Sequence, residues 1–228
     1  MLWERATWQA RLAGCAVAAL VLWAPTNLIY QVTQKPSELL APLGAKKTPE
    51  ETWRNYGPLF RRYATPNVAP ELLAALAQAE SAGNPVARTY WRWRFSLNPL
   101  SIYRPASSSV GMYQMTDAAF AEARRSRDGA YWRILPSDAI ELTSAYLDRQ
   151  LAALLANRRA EAPLTQQQKD NLAAVIHLCG PAPAASFLRR RFHLPSGGRC
   201  GDQDIAAYIA RVNGFERQFR RLDQAEAP

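Results

Sequence analysis

Histidine is scarce in this chain and cysteine nearly so: His177 and His193 are the only histidines, and there are three cysteines in 228 residues. No Cys/His pair stands at the spacing of a zinc site, so neither a metal nor another cofactor is expected. Strand-like alternation is absent too, as are repeats of solenoid period and low-complexity tracts. Acidic residues are the minority charge, 19 against 28 Lys and Arg, for a formal net charge of +9. That excess suits an acidic partner such as nucleic acid, anionic lipid or an anionic wall polymer, without choosing among them. The remaining composition, 48% hydrophobic and 21% charged, is that of a chain able to build a core. Its length fits one ordinary domain with a tail, or two small ones.

The N-terminus carries Arg5 and Arg11 against Glu4, then an uncharged apolar run over 12–25 that 26–30 extends weakly. A basic start before such a core has the form of a signal sequence. The uncharged stretch 12–32 is also long enough to span a bilayer, although Pro25 and Asn27 weaken its end. No small-x-small cleavage site follows the core directly, and Leu43-Gly44-Ala45 comes too late. Leu12-Ala13-Gly14-Cys15 spells a lipobox, but it precedes the apolar core. The expectation is therefore a signal sequence or uncleaved membrane anchor over 1–32, a Pro- and Lys-containing linker over 33–49 and a folded domain over 50–228. An internal core helix is the alternative for the apolar run. Export would make Cys179 and Cys200 a candidate disulfide, whereas the cytosol would leave them as two thiols.

Within 50–228 the pattern is helical. Thr48-Pro49-Glu50-Glu51 has helix-start chemistry, and the helix that follows carries Trp53, Tyr56, Leu59, Phe60 and Tyr63 as a stripe. Pro70-Glu71 opens a second helix that Gly83 and Pro85 stop. Leu73, Leu76 and Glu80 share one of its faces. A carboxylate there meets the negative end of the helix dipole and partial desolvation. Both favour its protonated form, as a general acid requires. Taken alone, Glu80 reads better as an acid at the stripe's edge paired with one of the many arginines.

Residues 84–110 show no period and interleave Trp91, Arg92, Trp93, Arg94 and Phe95. They fit a surface that stacks on sugars or bases and attracts anions, or tryptophans that anchor a long loop. Thr116 or Asp117 caps a short helix, Ser137-Asp138 a longer one running to about Asn157, and Thr165 with Gln168 forms a capping box. A short helix is expected over 184–192, and Asp202 is the expected cap of a last helix with Ile205, Tyr208, Ile209, Val212 and Phe215 on one side. The folded part is expected to be all-α.

Glu80-Ser81 at a helix end, Gly111-Met112-Tyr113-Gln114 after a loop, Cys179-Gly180-Pro181 late in the chain and Tyr208 in the final helix together resemble the lytic transglycosylases of the soluble-transglycosylase (SLT) type. Their catalytic domain is similar to goose-type lysozyme. The resemblance covers about 50–220. It implies a lysozyme-like helical domain acting on peptidoglycan glycan strands, with Glu80 as the single catalytic acid and then base. Such an enzyme cleaves the β-1,4 bond between N-acetylmuramic acid and N-acetylglucosamine with formation of a 1,6-anhydro ring. By the same resemblance, Gln114 lines the cleft beside the acid and Met112 and Tyr113 form its wall. Ser81 helps to hold the carboxylate and the sugar, and Tyr208 packs close to Glu80.

Two departures stand out. The family's Ala-Tyr-Asn-Ala-Gly segment is replaced here by Ile176-His177-Leu178-Cys179-Gly180, so His177 occupies the tyrosine's place and Leu178 the asparagine's. The insertion over 86–110 is longer than the family's usual spacing. A hydrolytic muramidase and a non-catalytic glycan-binding or scaffold protein are the alternatives. The resemblance puts the domain in the periplasm, or anchored on the periplasmic side of the bacterial inner membrane. By analogy alone, secretion or conjugation machinery is a possible partner. No nucleic acid is expected, since only charge and the Trp-Arg segment would support it.

Overall fold

Helix-start chemistry places most of the elements in the computed structural model, which describes residues 7–125, 127–156 and 163–226. The first helix, α1, spans Trp8–Gln34, and the Thr7 side chain accepts the Ala10 N–H at its start. It contains Pro25 and buries only Asn27 and Gln31. By length and composition it can cross a membrane. Glu4 and Arg5 of the basic start lie outside the described residues.

The stretch 33–49 is structured. Short 3-10 turns form at Pro36–Leu39 and Ala41–Leu43. Glu38 is buried among Lys35, Arg88 and the Trp91 indole N–H. Gly44 lies so close to Asn84 that an added Cβ would sit 2.2 Å from its Oδ1.

Helix α2 (Pro49–Tyr63) starts in a full capping box between Thr48 and Glu51. Helix α3 (Pro70–Ser81) buries every residue from Leu72 to Gln78, so it is the central helix of the core and not a stripe against it. Alanines at 74, 75 and 77 present small side chains on the faces that the leucines do not occupy. A helix apolar all round is stable only when enclosed. Here α2 packs against it, as does the last helix, α8 (Ile205–Glu226).

Residues 86–110 form an antiparallel hairpin of β1 (Trp91–Trp93) and β2 (Tyr103–Pro105), with Trp91 opposite Pro105 and a 3-10 turn at Pro99–Ser101 between the strands. Three-residue strands are too short to show alternation, and the fold remains mostly helical as expected. A second two-stranded piece joins β3 (Arg199–Cys200) to β4 (Gln203–Asp204).

Thr116 caps α4 (Asp117–Arg124). Helix α5 (Pro136–Ala156) begins ahead of the expected cap, and Asp138 instead accepts the Trp132 N–H. Its expected end at Asn157 falls outside the described residues. Thr165 and Gln168 box the start of α6 (Gln166–Cys179). The next helix, α7, runs over Pro181–Arg189, earlier than expected, because Gly180-Pro181 starts it and Arg191 and Phe192 turn to positive φ. Asp204, not Asp202, accepts the Ala207 N–H at the start of α8. A disulfide joins Cys179 to Cys200 with Cα atoms 5.6 Å apart. It closes the excursion through α7 and should stabilise the fold by roughly 3 kcal/mol.

Candidate active site around Glu80

Glu80 is the penultimate residue of α3, where the helix stops because Ala82 and Gly83 take left-handed φ angles of 51° and 66°. Their N–H groups return to Gln78 and Ala77 carbonyls, which is how a helix end satisfies its last acceptors. The Glu80 side chain is 15% exposed. Tyr208, in the first turn of α8, donates its hydroxyl to Glu80 Oε1 at 2.6 Å. His177, in the last turn of α6, places Nε2 3.6 Å from the same oxygen. Both contacts are made to Oε1.

Burial, and next to it the charge of Glu80, pushes the Tyr208 hydroxyl well above the ordinary phenol value. Tyr208 therefore stays protonated, and the bond has one direction: the phenol donates and the carboxylate accepts. The Arg211 guanidinium lies 5.2 Å over the Tyr208 ring.

Glu80 opens on a cleft of about 430 Å³ that is also lined by Ser81, Asn84, Arg88, Ala41 and Lys46. Among the described residues it is the only carboxylate lining that cleft. A larger cavity of about 650 Å³ lies against Lys35, Ser107 and Arg133 and does not include Glu80. Its one acid, Asp117, is paired with Arg133 at 2.6 Å. Glu80 lines the smaller space.

The 111–116 segment is tied to both sides of the site. Gly111 has φ 83°, and a Cβ there would come within 2.2 Å of the Arg133 carbonyl, so both conformation and space require glycine. Its N–H bonds the Ala87 carbonyl at 2.8 Å. Gln114 donates its amide to the carbonyls of Ala87 and Gly111, at 3.1 and 3.0 Å. It thereby knots the segment to the cleft wall at Ala87. The Ser81 hydroxyl reaches the Met112 carbonyl at 2.7 Å and the Ala77 carbonyl at 3.1 Å. Glu80's neighbour thus anchors the loop through its backbone.

Met112 and Tyr113 do not form an exposed wall. They are 0% and 1% exposed, because their side chains fill the core beneath the cleft. The Tyr113 hydroxyl donates to the Leu73 carbonyl at 3.1 Å, and its ring meets His177 edge-on at 6.2 Å. Both residues support the site from below.

The structure thus brings Glu80, His177 and Tyr208 together and sets Ser81, Gln114 and Tyr113 around them. Lys46, Asn84 and Arg88 were not legible as cleft residues. Nothing in their local sequence marks them, and they reach the cleft only because the 41–47 stretch packs on the end of α3. There the Lys47 N–H bonds the Ala82 carbonyl at 2.7 Å, and the Gln78 amide bonds the Lys47 carbonyl at 2.9 Å.

A central helix ending in one half-buried acid, enclosed by further helices, defines a lysozyme-like helical domain. Residues 58–164 match the family model described as the transglycosylase SLT domain. This ties the chain to peptidoglycan-related function of the transglycosylase type. No curated protein matches the chain. The family match takes in α3, the 111–116 segment, α4 and α5, and it stops before α6. The helices carrying His177 and Tyr208 lie beyond it.

Proposed function

We propose that the protein is a lytic transglycosylase in which Glu80 acts first as acid and then as base. Protonated Glu80 donates through Oε2 to the oxygen of the β-1,4 bond between N-acetylmuramic acid and N-acetylglucosamine, and the C1–O bond breaks. The C6 hydroxyl of the muramic residue attacks C1, and its proton passes to the Glu80 carboxylate. The products are a 1,6-anhydro end and a free 4-hydroxyl, with no water consumed. Because the substrate supplies the nucleophile, the second carboxylate of an ordinary glycosidase is not needed.

The observation that carries this reading is the single acid in the cleft, held at one oxygen by a buried tyrosine donor 2.6 Å away. Tyr208 orients the carboxylate with Oε2 facing the bond, and His177 stands in the place of the family's tyrosine. Gln114 and Ser81 fix the loop that closes the site. With α1 as a retained anchor, the domain works on the periplasmic side of the inner membrane, on the glycan strands nearest to it.

The test is digestion of purified peptidoglycan by the wild-type protein and by Glu80→Gln, with muropeptide ends read by mass spectrometry. Anhydro ends are expected from the wild type, with a loss of about 10²–10⁴-fold in the variant. Reducing ends would make the protein a muramidase, and release unchanged by the substitution would remove Glu80 from its role.

A further inference from the structure

The 86–110 hairpin plays no part in the chemistry proposed for Glu80, yet it is firmly placed. Its contacts run along α1 from the C-terminal end backwards. At the level of Lys35, the lysine ammonium bonds the Ser109 carbonyl at 2.7 Å, and Trp91 bonds buried Glu38 at 3.0 Å. One and two turns further back, the Gln31 and Asn27 amides both bond the Leu100 carbonyl, at 2.6 and 2.7 Å. At Trp23 the indole N–H bonds the Pro99 carbonyl at 2.9 Å, and the ring stacks on Trp93 at 5.9 Å. From Lys35 to Trp23 is about 18 Å of helix. The hairpin therefore lies against nearly half of α1, its C-terminal part from Trp23 onward, with its tip directed toward the apolar N-terminal part.

That tip is apolar and bare. Phe95 and Leu97 are each 95% exposed and Trp93 is 68% exposed, while Arg92 and Arg94 on the same segment are exposed. Between hairpin and helix lies a groove of about 610 Å³ lined largely by rings and aliphatic carbon, with Trp23, Leu28, Tyr90, Trp91, Trp93 and Tyr103 among its residues. Two amide side chains of this part of α1, Asn27 and Gln31, are spent on the hairpin backbone and buried. On the same part of α1, Leu28 and Ile29 stay exposed, 53% and 65%. Rings at the level where an apolar helix leaves the bilayer, with arginines beside them, match the composition of a membrane interface.

We infer that the 91–105 hairpin is a second membrane contact. Its tip residues Trp93, Phe95 and Leu97 enter the outer interface of an anionic phospholipid bilayer, and Arg92 and Arg94 meet the phosphates. The occupant is lipid because the hairpin is continuous with α1, the one element among the described residues that is long and apolar enough to cross a bilayer. Any medium around the outer end of α1 meets the tip as well. The buried Glu38 cluster joins the hairpin to Arg88 on the cleft wall, at 3.2 Å. Seating the tip would therefore hold the Glu80 cleft at a set height above the membrane. This rests on α1 being an anchor, and the experiment separates the two.

The full chain is reconstituted in vesicles of equal phosphatidylcholine and phosphatidylglycerol and labelled with a polarity-sensitive fluorophore at one thiol at a time. The sites are the native Cys15, exposed on α1, then Leu97→Cys and Arg217→Cys, each with Cys15→Ser. Spin-labelled lipids at headgroup depth are expected to lower the emission at position 97 about twofold and leave position 217 unchanged. Lipids labelled deep in the acyl chain should quench the probe at Cys15. If Cys15 is quenched while position 97 is as open to aqueous iodide as position 217, the anchor stands and the hairpin contact is overturned. Should neither Cys15 nor position 97 respond to lipid, both fall. Protection of position 97 only after glycan strands are added would make the tip a sugar-binding surface and also overturn the lipid contact.

Discussion

The end of α3 and the 91–105 hairpin lie on either side of Arg88, and they are built on opposite principles. Around Glu80, helix is packed on helix: a fully enclosed α3, buried rings from α8 and the 111–116 segment, and a disulfide closing the excursion beyond α6. The hairpin has two three-residue strands, rings in the open, and a position owed to backbone carbonyls that α1 side chains bind. One region is held by its own core, the other by a neighbour. Damage to the first should therefore spread through the fold and the activity, while damage to the second should stay local.

Four variants break or sharpen that contrast, in descending order of effect. Gly111→Ala should cost about 3 kcal/mol, because the new methyl group meets the Arg133 carbonyl in a left-handed conformation. A fall in the denaturant midpoint at unchanged slope would be the sign, and an unchanged midpoint would mean the loop yields.

Tyr208→Phe removes the donor to Glu80 and keeps the ring. A hydrogen bond to a charged group contributes about 1.5–3 kcal/mol, so turnover on peptidoglycan should drop roughly 10- to 100-fold. Thermal unfolding should shift much less than turnover does. Equal losses of stability and rate would instead mark Tyr208 as a packing residue.

The third prediction concerns pH. Glu216, enclosed between α6 and α8, has its carboxyl pushed up to about 8 by burial and next by the charge of Asp170, which is itself raised mainly by burial. Its folded value lies above the unfolded one, so the folded state binds the extra proton. The associated stability is fully present below the ordinary carboxylate range and is lost as pH rises through about 8. Urea midpoints of the wild type should fall from weakly acid to weakly alkaline pH, and Glu216→Gln should flatten that fall. A rise with pH in the wild type would refute the assignment.

The smallest effect belongs to the hairpin. Phe95→Ser with Leu97→Ser should change stability in detergent solution by less than about 0.5 kcal/mol, since both side chains are already exposed. A larger loss, measured by thermal unfolding, would show that the tip packs on the domain after all.

Helices with local signatures were legible from residues alone. Thr48 and Thr165 announce α2 and α6 through capping boxes, and Pro70-Glu71 announces α3. Glu80 stands out because an acid closes an apolar stretch. The hairpin was not legible, because strands of three residues have no period and their partner is an apolar helix more than 70 residues earlier in the chain, by 76 and 73 residues for the Trp23 and Asn27 contacts. Asp204 rather than Asp202 caps α8 because the β3–β4 turn decides which side chain faces the helix start. Burial of Met112 and Tyr113 was equally hidden, since a motif gives the order of residues and not the side of the backbone that meets the core.

Sequence by itself determined the all-α core, the acid at the end of α3, the glycine that the 111–116 turn requires and the apolar first helix. Each rests on local rules: period, caps, and conformations that only certain residues adopt. Tertiary structure alone decided that Tyr208 and His177, about 130 and 100 residues away in the chain, meet the same oxygen of Glu80. It also decided that residues 41–47 and Arg88 wall the cleft, and that the Trp-Arg segment lies along α1. Those meetings depend on how separate helices pack, and packing is set by the whole core at once.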